Sequence, residues 1–305
     1  MSGRRFLVLG GGDGWHINQL RSAAEAAGCE IAVSPYETLA ARIGRCGSMI
    51  ATCSAGELGQ FDAILTRTMP AASLEQITFR LATLHSLTNV PLVNPPRGLE
   101  IAIDKFATLA HVAALGYPVP ETVVVQSRGE AMDAFERLGG DCVVKPIFGG
   151  EGRGVMRIAD PQLAWYAFST LEGLDAVCYL QEFVAPGGID TRLLVIGDHV
   201  LGLRRRNELD FRTNVASGAQ CQSIQPNELL REQATAITRS IGLTFASVDL
   251  LDCADGSQRV LEVNAIPGWK GAQQVATTNI AAEIVDLLCE QADALAARRG
   301  KAGCQ

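Results

Sequence analysis

Short apolar runs alternate with segments of helical period along the first third of the chain, and few architectures accept that order. Phe6–Leu9 reads as a buried strand, followed by a glycine-rich turn and a helix to about Ala27. Glu30–Val33 and Phe61–Thr66 read as further strands, a helix covers about Ser73 to Ser86, and Val90–Val93 is a fourth strand. Strands alternating with helices predict a parallel sheet covered by helices, an α/β domain over 1–96. Asn94-Pro95-Pro96 then stops the pattern and marks a domain edge.

The rest of the chain reads as two α+β units. In 97–180, a helix from Lys105 to about Leu115 is broken by Gly116-Tyr117-Pro118-Val119-Pro120. Strands at Glu121–Val125, Cys142–Ile147 and Gly154–Ile158 surround a helix near Gly129–Leu138, and Asp160-Pro161 opens another. In 181–297, Thr191–Ile196 and His199–Arg204 form a hairpin around Gly197-Asp198. Leu230, Ala234, Ile237 and Ile241 repeat at helical spacing, strands follow at Ala246–Leu251 and Arg259–Val263, and a last helix carries Ile280, Ile284, Leu287 and Leu288 on one face. Residues 298–305 read as a polar, frayed tail. Three lobes suit 305 residues.

Composition narrows the function. A net charge of −7 repels a phosphate backbone, so nucleic acid is not expected as a partner. The nine cysteines form no C-x-x-C pair and mostly sit in apolar contexts, as in Asp141-Cys142-Val143, which predicts reduced, buried thiols in a cytoplasmic protein. The apolar run after Arg4-Arg5 ends at Gly10, too soon for a signal sequence, and none approaches the ~18–20 residues of a membrane span.

Five segments carry candidate chemistry. Gly10-Gly11-Gly12-Asp13-Gly14 follows a strand as a dinucleotide loop would, but the sixth position of G-x-G-x-x-G is Trp15. It reads either as a tight turn or as a substrate loop in which Trp15 and His16 face a cleft. In Val143-Val144-Lys145-Pro146, a lysine inside an apolar strand is costly unless an anion meets it. Gly149-Gly150-Glu151-Gly152-Arg153-Gly154 follows, bare backbone that can approach a polyphosphate. Tyr179-Leu180-Gln181-Glu182-Phe183-Val184 reads as an adenine-binding hinge or an edge strand. Asp190, Arg192, the run Arg204-Arg205-Arg206 and Asp210-Phe211-Arg212-Thr213-Asn214 offer guanidinium forks for carboxylates and phosphates, or a solvated strand face. Glu262 and Asn264, two apart on a strand, point to one face, where Asp249 of a neighbouring strand can join them. Two carboxylates and an amide oxygen make a hard site suited to Mg²⁺.

Taken in order, Asp104-Lys105, the Val-Lys-Pro and glycine loop, Gln181-Glu182-Phe183, Asp190-x-Arg192, Asp210 to Asn214, Val248-Asp249 and Glu262-Val263-Asn264-x-x-Pro267-Gly268 resemble the RimK-like branch of ATP-grasp ligases. The resemblance implies an ATP-grasp fold, with ATP gripped between two subdomains behind the N-terminal domain. It implies that Lys105, Lys145, Gly150 and Gly152 meet the phosphates, that Gln181, Glu182 and Phe183 hold the adenine, and that Asp190 lies by the ribose. Arg212, Thr213 and Asn214 would face the γ-phosphate and the reacting carboxylate, and Asp249, Glu262 and Asn264 would bind Mg²⁺, or Mn²⁺ in its place. Gly14-Trp15-His16 and Pro267-Gly268-Trp269-Lys270 look similar to the tetrahydromethanopterin- and methylofuran-linked glutamate ligases of methylotrophic bacteria. Trp15, His16, Arg67, Arg192, Arg206, Trp269 and Lys270 are the residues expected at the acceptor.

The expected reaction activates a substrate carboxylate as an acyl phosphate and joins it to an amine, that of L-glutamate. Glutamylation of a protein C-terminus, a small-molecule kinase and a non-catalytic nucleotide-binding protein are the rival readings, and the resemblance allows a homo-oligomer.

Overall fold

The computed structural model describes residues 3–45, 47–150, 152–214 and 218–302. The N-terminal part is a parallel sheet of β1 (Arg5–Leu9), β2 (Glu30–Ser34), β6 (Ala63–Thr66) and β7 (Leu92–Val93), in the order β2-β1-β6-β7. Phe6 and Val8 turn to one face of β1 and Leu7 and Leu9 to the other, and both faces are buried, which is why β1 is apolar without alternation. Helix α1 (Trp15–Ala26) covers one face together with the C-terminal helix α9 (Ile280–Ala302). Helix α2 (Leu74–His85), capped by Ser73, helps to cover the other. A small antiparallel sheet of β3 (Ala40–Ile43), β4 (Met49–Cys53) and β5 (Gly56–Glu57) is inserted before β6. The sequence pattern did not announce it, because its strands are short and largely exposed.

The middle unit has the antiparallel order β10-β9-β11-β8, with β8 (Thr122–Val125), β9 (Cys142–Lys145), β10 (Met156–Ile158) and β11 (Cys178–Glu182). Helices α5 (Arg128–Arg137) and α6 (Pro161–Gly173) bury Phe135 and Phe168 against it. The third unit is the five-stranded sheet β14-β13-β12-β15-β16, formed by β12 (Ile189–Ile196), β13 (His199–Arg206), β14 (Gln220–Ile224), β15 (Phe245–Asp252) and β16 (Gln258–Asn264). Helix α7 (Glu228–Ile241) starts at an Asn227 cap and ends at Gly242 in the left-handed region. It buries Ile237 and Ile241 with Val195 and Val248.

Three boundaries differ from those read in the sequence. Helices α3 (Pro96–Ile103) and α4 (Lys105–Ala114) pack on β16, and α3 on α7, so the segment after residue 96 lies with the large sheet. The middle sheet extends to Glu182. Residues 298–302 of the expected tail continue α9 as helix, whereas 303–305 lie outside the described residues.

The parallel sheet and the large sheet share one core, in which Val8 and Val93 meet Leu194, Phe245 and Ile284. Asn94, 1 % exposed, rivets the junction. Its side-chain amide donates to the Phe245 and Ala265 carbonyls at 2.6 and 2.7 Å. Its oxygen accepts from the Thr244 and Phe245 N–H groups at 2.9 and 3.0 Å. All four ties would be lost with a side chain of the same size that lacked the amide.

Candidate active site

A cavity between the middle sheet and the large sheet encloses about 850 Å³, its open mouth included. Lys145, at the end of β9, and Lys105, at the start of α4, both line it. Asp104 caps α4, accepting the Phe106 and Ala107 N–H groups at 2.8 and 3.0 Å, which fixes Lys105 at the helix entrance. Lys145 is 7 % exposed. Burial lowers its ammonium to about 8; Glu262 opposes that shift and Lys105 adds to it. Lys105 is lowered too, by burial, against the pull of Glu262. No described carboxylate forms an ion pair with Lys145, whose Nζ lies 5.6 Å from the Tyr179 ring centre.

The glycine loop closes over these lysines. Lys105 Nζ donates to the Gly149 carbonyl at 2.6 Å. Gly149 and Gly152 adopt φ of +115° and +71°, open to glycine and strained for other residues. A β-carbon on Gly152 would stand 2.7 Å from Asn214 Oδ1, so the loop and the 210–214 segment approach through bare backbone. Gly150 also lines the cavity, and Glu151 lies outside the described residues.

At the hinge, the side chains expected to read a base are tied into the protein. Gln181 is buried and donates to Thr122 Oγ1 at 2.9 Å. Glu182 accepts the Glu121 N–H at 2.7 Å and pairs with Arg259. Phe183 lines the cavity with its ring beneath the Arg157 guanidinium, 3.4 Å away. The sequence reading missed the apolar wall of Val143, Leu251 and Leu261, since buried strand residues carry no mark of facing a ligand.

The large sheet adds partners that the sequence did not show. Asp190, fully buried, gives its carboxylate to Arg205 and to the Thr213 hydroxyl, and both Asp190 and Thr213 line the cavity. Alternation along β13 turns Arg205 inward, whereas Arg206 is exposed beside Glu208 and away from the cavity. Arg192 binds both oxygens of Asp249, at 2.8 and 2.6 Å, and Arg205 adds a third contact at 2.7 Å. Burial would raise the Asp249 carboxyl, but these guanidinium groups outweigh burial and hold it below the usual carboxylate range. Arg212 lines the cavity and its guanidinium is held by Asp210 at 2.6 Å.

Glu262 stands opposite Asp249 in the β15–β16 ladder, just before a bulge at Asp249/Leu250. Asn264 follows on the same face, and its amide contacts Glu262 Oε1 at 2.9 Å. Among the described residues, no three His, Cys, Asp or Glu side chains group as a metal cluster. The local donor set is instead one carboxylate and one amide, with Asp249 occupied by arginines. Two adjoining hard oxygens by a cavity shared with two ammonium groups fit Mg²⁺, which takes its other ligands from water and phosphate.

Trp15, His16, Arg67, Trp269 and Lys270 meet at the junction with the parallel sheet. Trp269 is fully buried, 5.9 Å from the Phe245 ring and 4.4 Å from His16, so it is a core residue and not a stacking surface for a substrate. His16 Nε2 accepts the Trp269 N–H at 3.2 Å. Burial, then the charges of Arg67 and Lys270, lower His16 to about 4, which leaves it neutral at pH 7 with its proton on Nδ1. Lys270 is exposed at the start of α8 (Lys270–Gln273).

Comparison with known proteins agrees with this geometry. The profile of the RimK-like ATP-grasp domain matches residues 102–288. The tetrahydromethanopterin:alpha-L-glutamate ligase of Methanococcus maripaludis is 32% identical over 202 residues, 65% of this chain and 68% of that one. The ribosomal protein bS6–L-glutamate ligase of Shigella boydii is 34% identical over 235 residues, 75% of this chain and 77% of that one. Among solved structures, the ATP-grasp ligase PsnB with a phosphomimetic variant of its minimal precursor, Mg and ADP superposes with a TM-score of 0.74 at 23% identity, covering 94% of this chain and 98% of that one. No helix among the described residues is long and apolar enough to cross a membrane.

Proposed function

Because the chain belongs to the RimK-like ATP-grasp ligase family, we propose that it joins the amino group of L-glutamate to a carboxylate of a tetrahydromethanopterin- or methylofuran-type cofactor, at the expense of ATP. The observation that carries this reading is the meeting of Lys105, Lys145 and Glu262 on one cavity, with buried lysine charge that no described carboxylate pairs. A polyphosphate supplies the missing anion. The relatives named for the pterin cofactor support the acceptor class, and the bS6 ligase keeps a protein C-terminus as the alternative acceptor.

The reaction runs in two steps. A carboxylate oxygen of the acceptor attacks the γ-phosphorus, the bond to the β-phosphate oxygen breaks, and an acyl phosphate and ADP result. The glutamate amine then attacks the acyl carbon, phosphate leaves, and the amine loses a proton as the amide forms. Lys105 and Lys145 hold the phosphates, and Phe183 and the apolar wall hold the base. Arg212 and Asn214 face the transferred group beneath the glycine loop, which excludes water from the acyl phosphate. Glu262 and Asn264 would hold Mg²⁺, or Mn²⁺, and Asp249 would join them by exchanging its Arg192 contact for the cation. A bound divalent ion neutralises phosphate charge as the bond breaks. No protein nucleophile is required, and catalysis is positioning and charge stabilisation.

The test mixes purified protein with ATP, Mg²⁺, L-glutamate and each cofactor in turn. ADP release that depends on both substrates, with a product heavier by one glutamyl residue, is the expected result. A phosphorylated acceptor would make the chain a kinase on this scaffold, and ATP binding without turnover over a wide carboxylate panel would make it a nucleotide sensor.

A further inference from the structure

Among the described residues, Arg67 is a buried cation without a counter-ion. It directly follows β6, is 8 % exposed, and its guanidinium makes one hydrogen bond, from Nη1 to the Pro267 carbonyl at 3.0 Å. It also lies 4.8 Å from the Trp269 ring centre. No described carboxylate pairs with it, and the Trp269 indole N–H beside it is buried without a partner. A guanidinium carries five N–H donors, so most of those on Arg67 have no described acceptor.

What surrounds Arg67 is also positive. Helix α1 begins at Trp15 with no side-chain cap and no acidic residue in its first turn, and the positive end of its dipole lies there. The charges of Arg67 and Lys270 both act on His16, in that first turn. Gly11, Gly12 and Gly14 are exposed, and nothing stands within 4 Å of where their β-carbons would be. Arg67 and the exposed glycine turn both lie at the carboxyl ends of β1 and β6, where open parallel sheets bind ligands. Pro267 follows Asn264 by three steps of the chain, at most roughly 11 Å. The Arg67 fork thus lies within one substrate's length of Glu262 and Asn264.

We propose that Arg67, with Lys270 and the N-terminus of α1, forms a subsite for a substrate carboxylate that is not itself activated. This rests on the ligase reading above and assigns it a specificity-determining residue. The carboxylate comes either from the incoming glutamate or from the acceptor, and the chemistry of recognition is the same.

The experiment measures thermal melting of the wild type, Arg67→Lys and Lys270→Met with L-glutamate, glutarate and the acceptor, alongside KM and kcat. The expected result is a wild-type melting shift with at least one of these carboxylates that shrinks in the variants. The KM of that same substrate should rise by on the order of tenfold or more in Arg67→Lys, with kcat and the KM for ATP unchanged. Which KM rises identifies the source of the carboxylate. A wild type whose melting ignores all three carboxylates overturns the site, whether or not it turns over. So do shifts and KM values that the variants leave unchanged, or a fall in kcat alone. Should Arg67→Lys not fold, Lys270→Met, at an exposed position, decides by the same criteria. An inactive wild type that still binds glutarate through Arg67 would sink the ligase reading and keep the site.

Discussion

Two groups of buried cations lie side by side in this molecule and are held in opposite ways. Arg192 and Arg205 are saturated by Asp190 and Asp249 inside the large sheet. Lys145, across the cavity, has no described acid paired with it, and burial depresses its ammonium. Cations matched by internal carboxylates are architecture, whereas a cation left unmatched in a cavity is stabilised only when a ligand brings the anion. The difference separates residues that hold the site together from residues that hold the substrate.

Arg205→Met should test this contrast hardest. It leaves Asp190 and Asp249 buried with fewer partners, and removal of one member of such a network costs roughly 3–5 kcal/mol. Chemical denaturation should show that loss, and a wild-type midpoint would mean that the network is not structural. Lys145→Met should do the reverse. Activity should fall by about 10²–10³, the scale for one transition-state charge contact, while the apo protein becomes more stable by about 3 kcal/mol at pH 7. Unfolding midpoints and ADP release on the same sample separate the two effects.

The pH dependence has a definite sign. The folded Lys145 releases its proton near pH 8, below the ordinary lysine value, so the unfolded chain binds more protons between about pH 8 and 10.5. The destabilisation by Lys145 is full below pH 8 and fades as pH rises through that window. Apo stability should therefore gain from Lys145 above pH 8 in the wild type, and Lys145→Met should lack that increment. ATP affinity should move the other way, weakening above pH 8 as the ammonium is lost, read as a rising KM for ATP. Arg206→Ala, at an exposed pair, should shift the unfolding midpoint by less than about 1 kcal/mol and leave the KM for ATP unchanged.

Much of the fold was legible in local pattern. The doubly buried β1, the hairpin at Gly197-Asp198 and the capped α7 each obey a rule of period or turn chemistry within a dozen residues. The cavity was legible for a different reason: Lys145 in an apolar strand and Glu262 beside Asn264 are costly without a ligand, so their placement signals one. What pattern could not reveal was pairing. Asp190, Asp249, Gln181 and Glu182 looked like ligand groups, yet each is partnered by a side chain or backbone group from elsewhere in the chain. Trp269 looked like a stacking platform and is core, because it packs in the shared core against Phe245 and His16.

The sequence by itself determined most of the strands and helices, that a cation stands in an apolar strand before a glycine loop, and that two oxygen donors share one strand face. These follow from spacing, which a chain carries locally. Only the tertiary structure decided which carboxylates are spent on arginines, that Arg205 and not Arg206 turns inward, and that Arg67 is buried with no anion among the described residues. Charge balance is a property of three-dimensional neighbours, and those neighbours come from segments that the chain brings together only on folding.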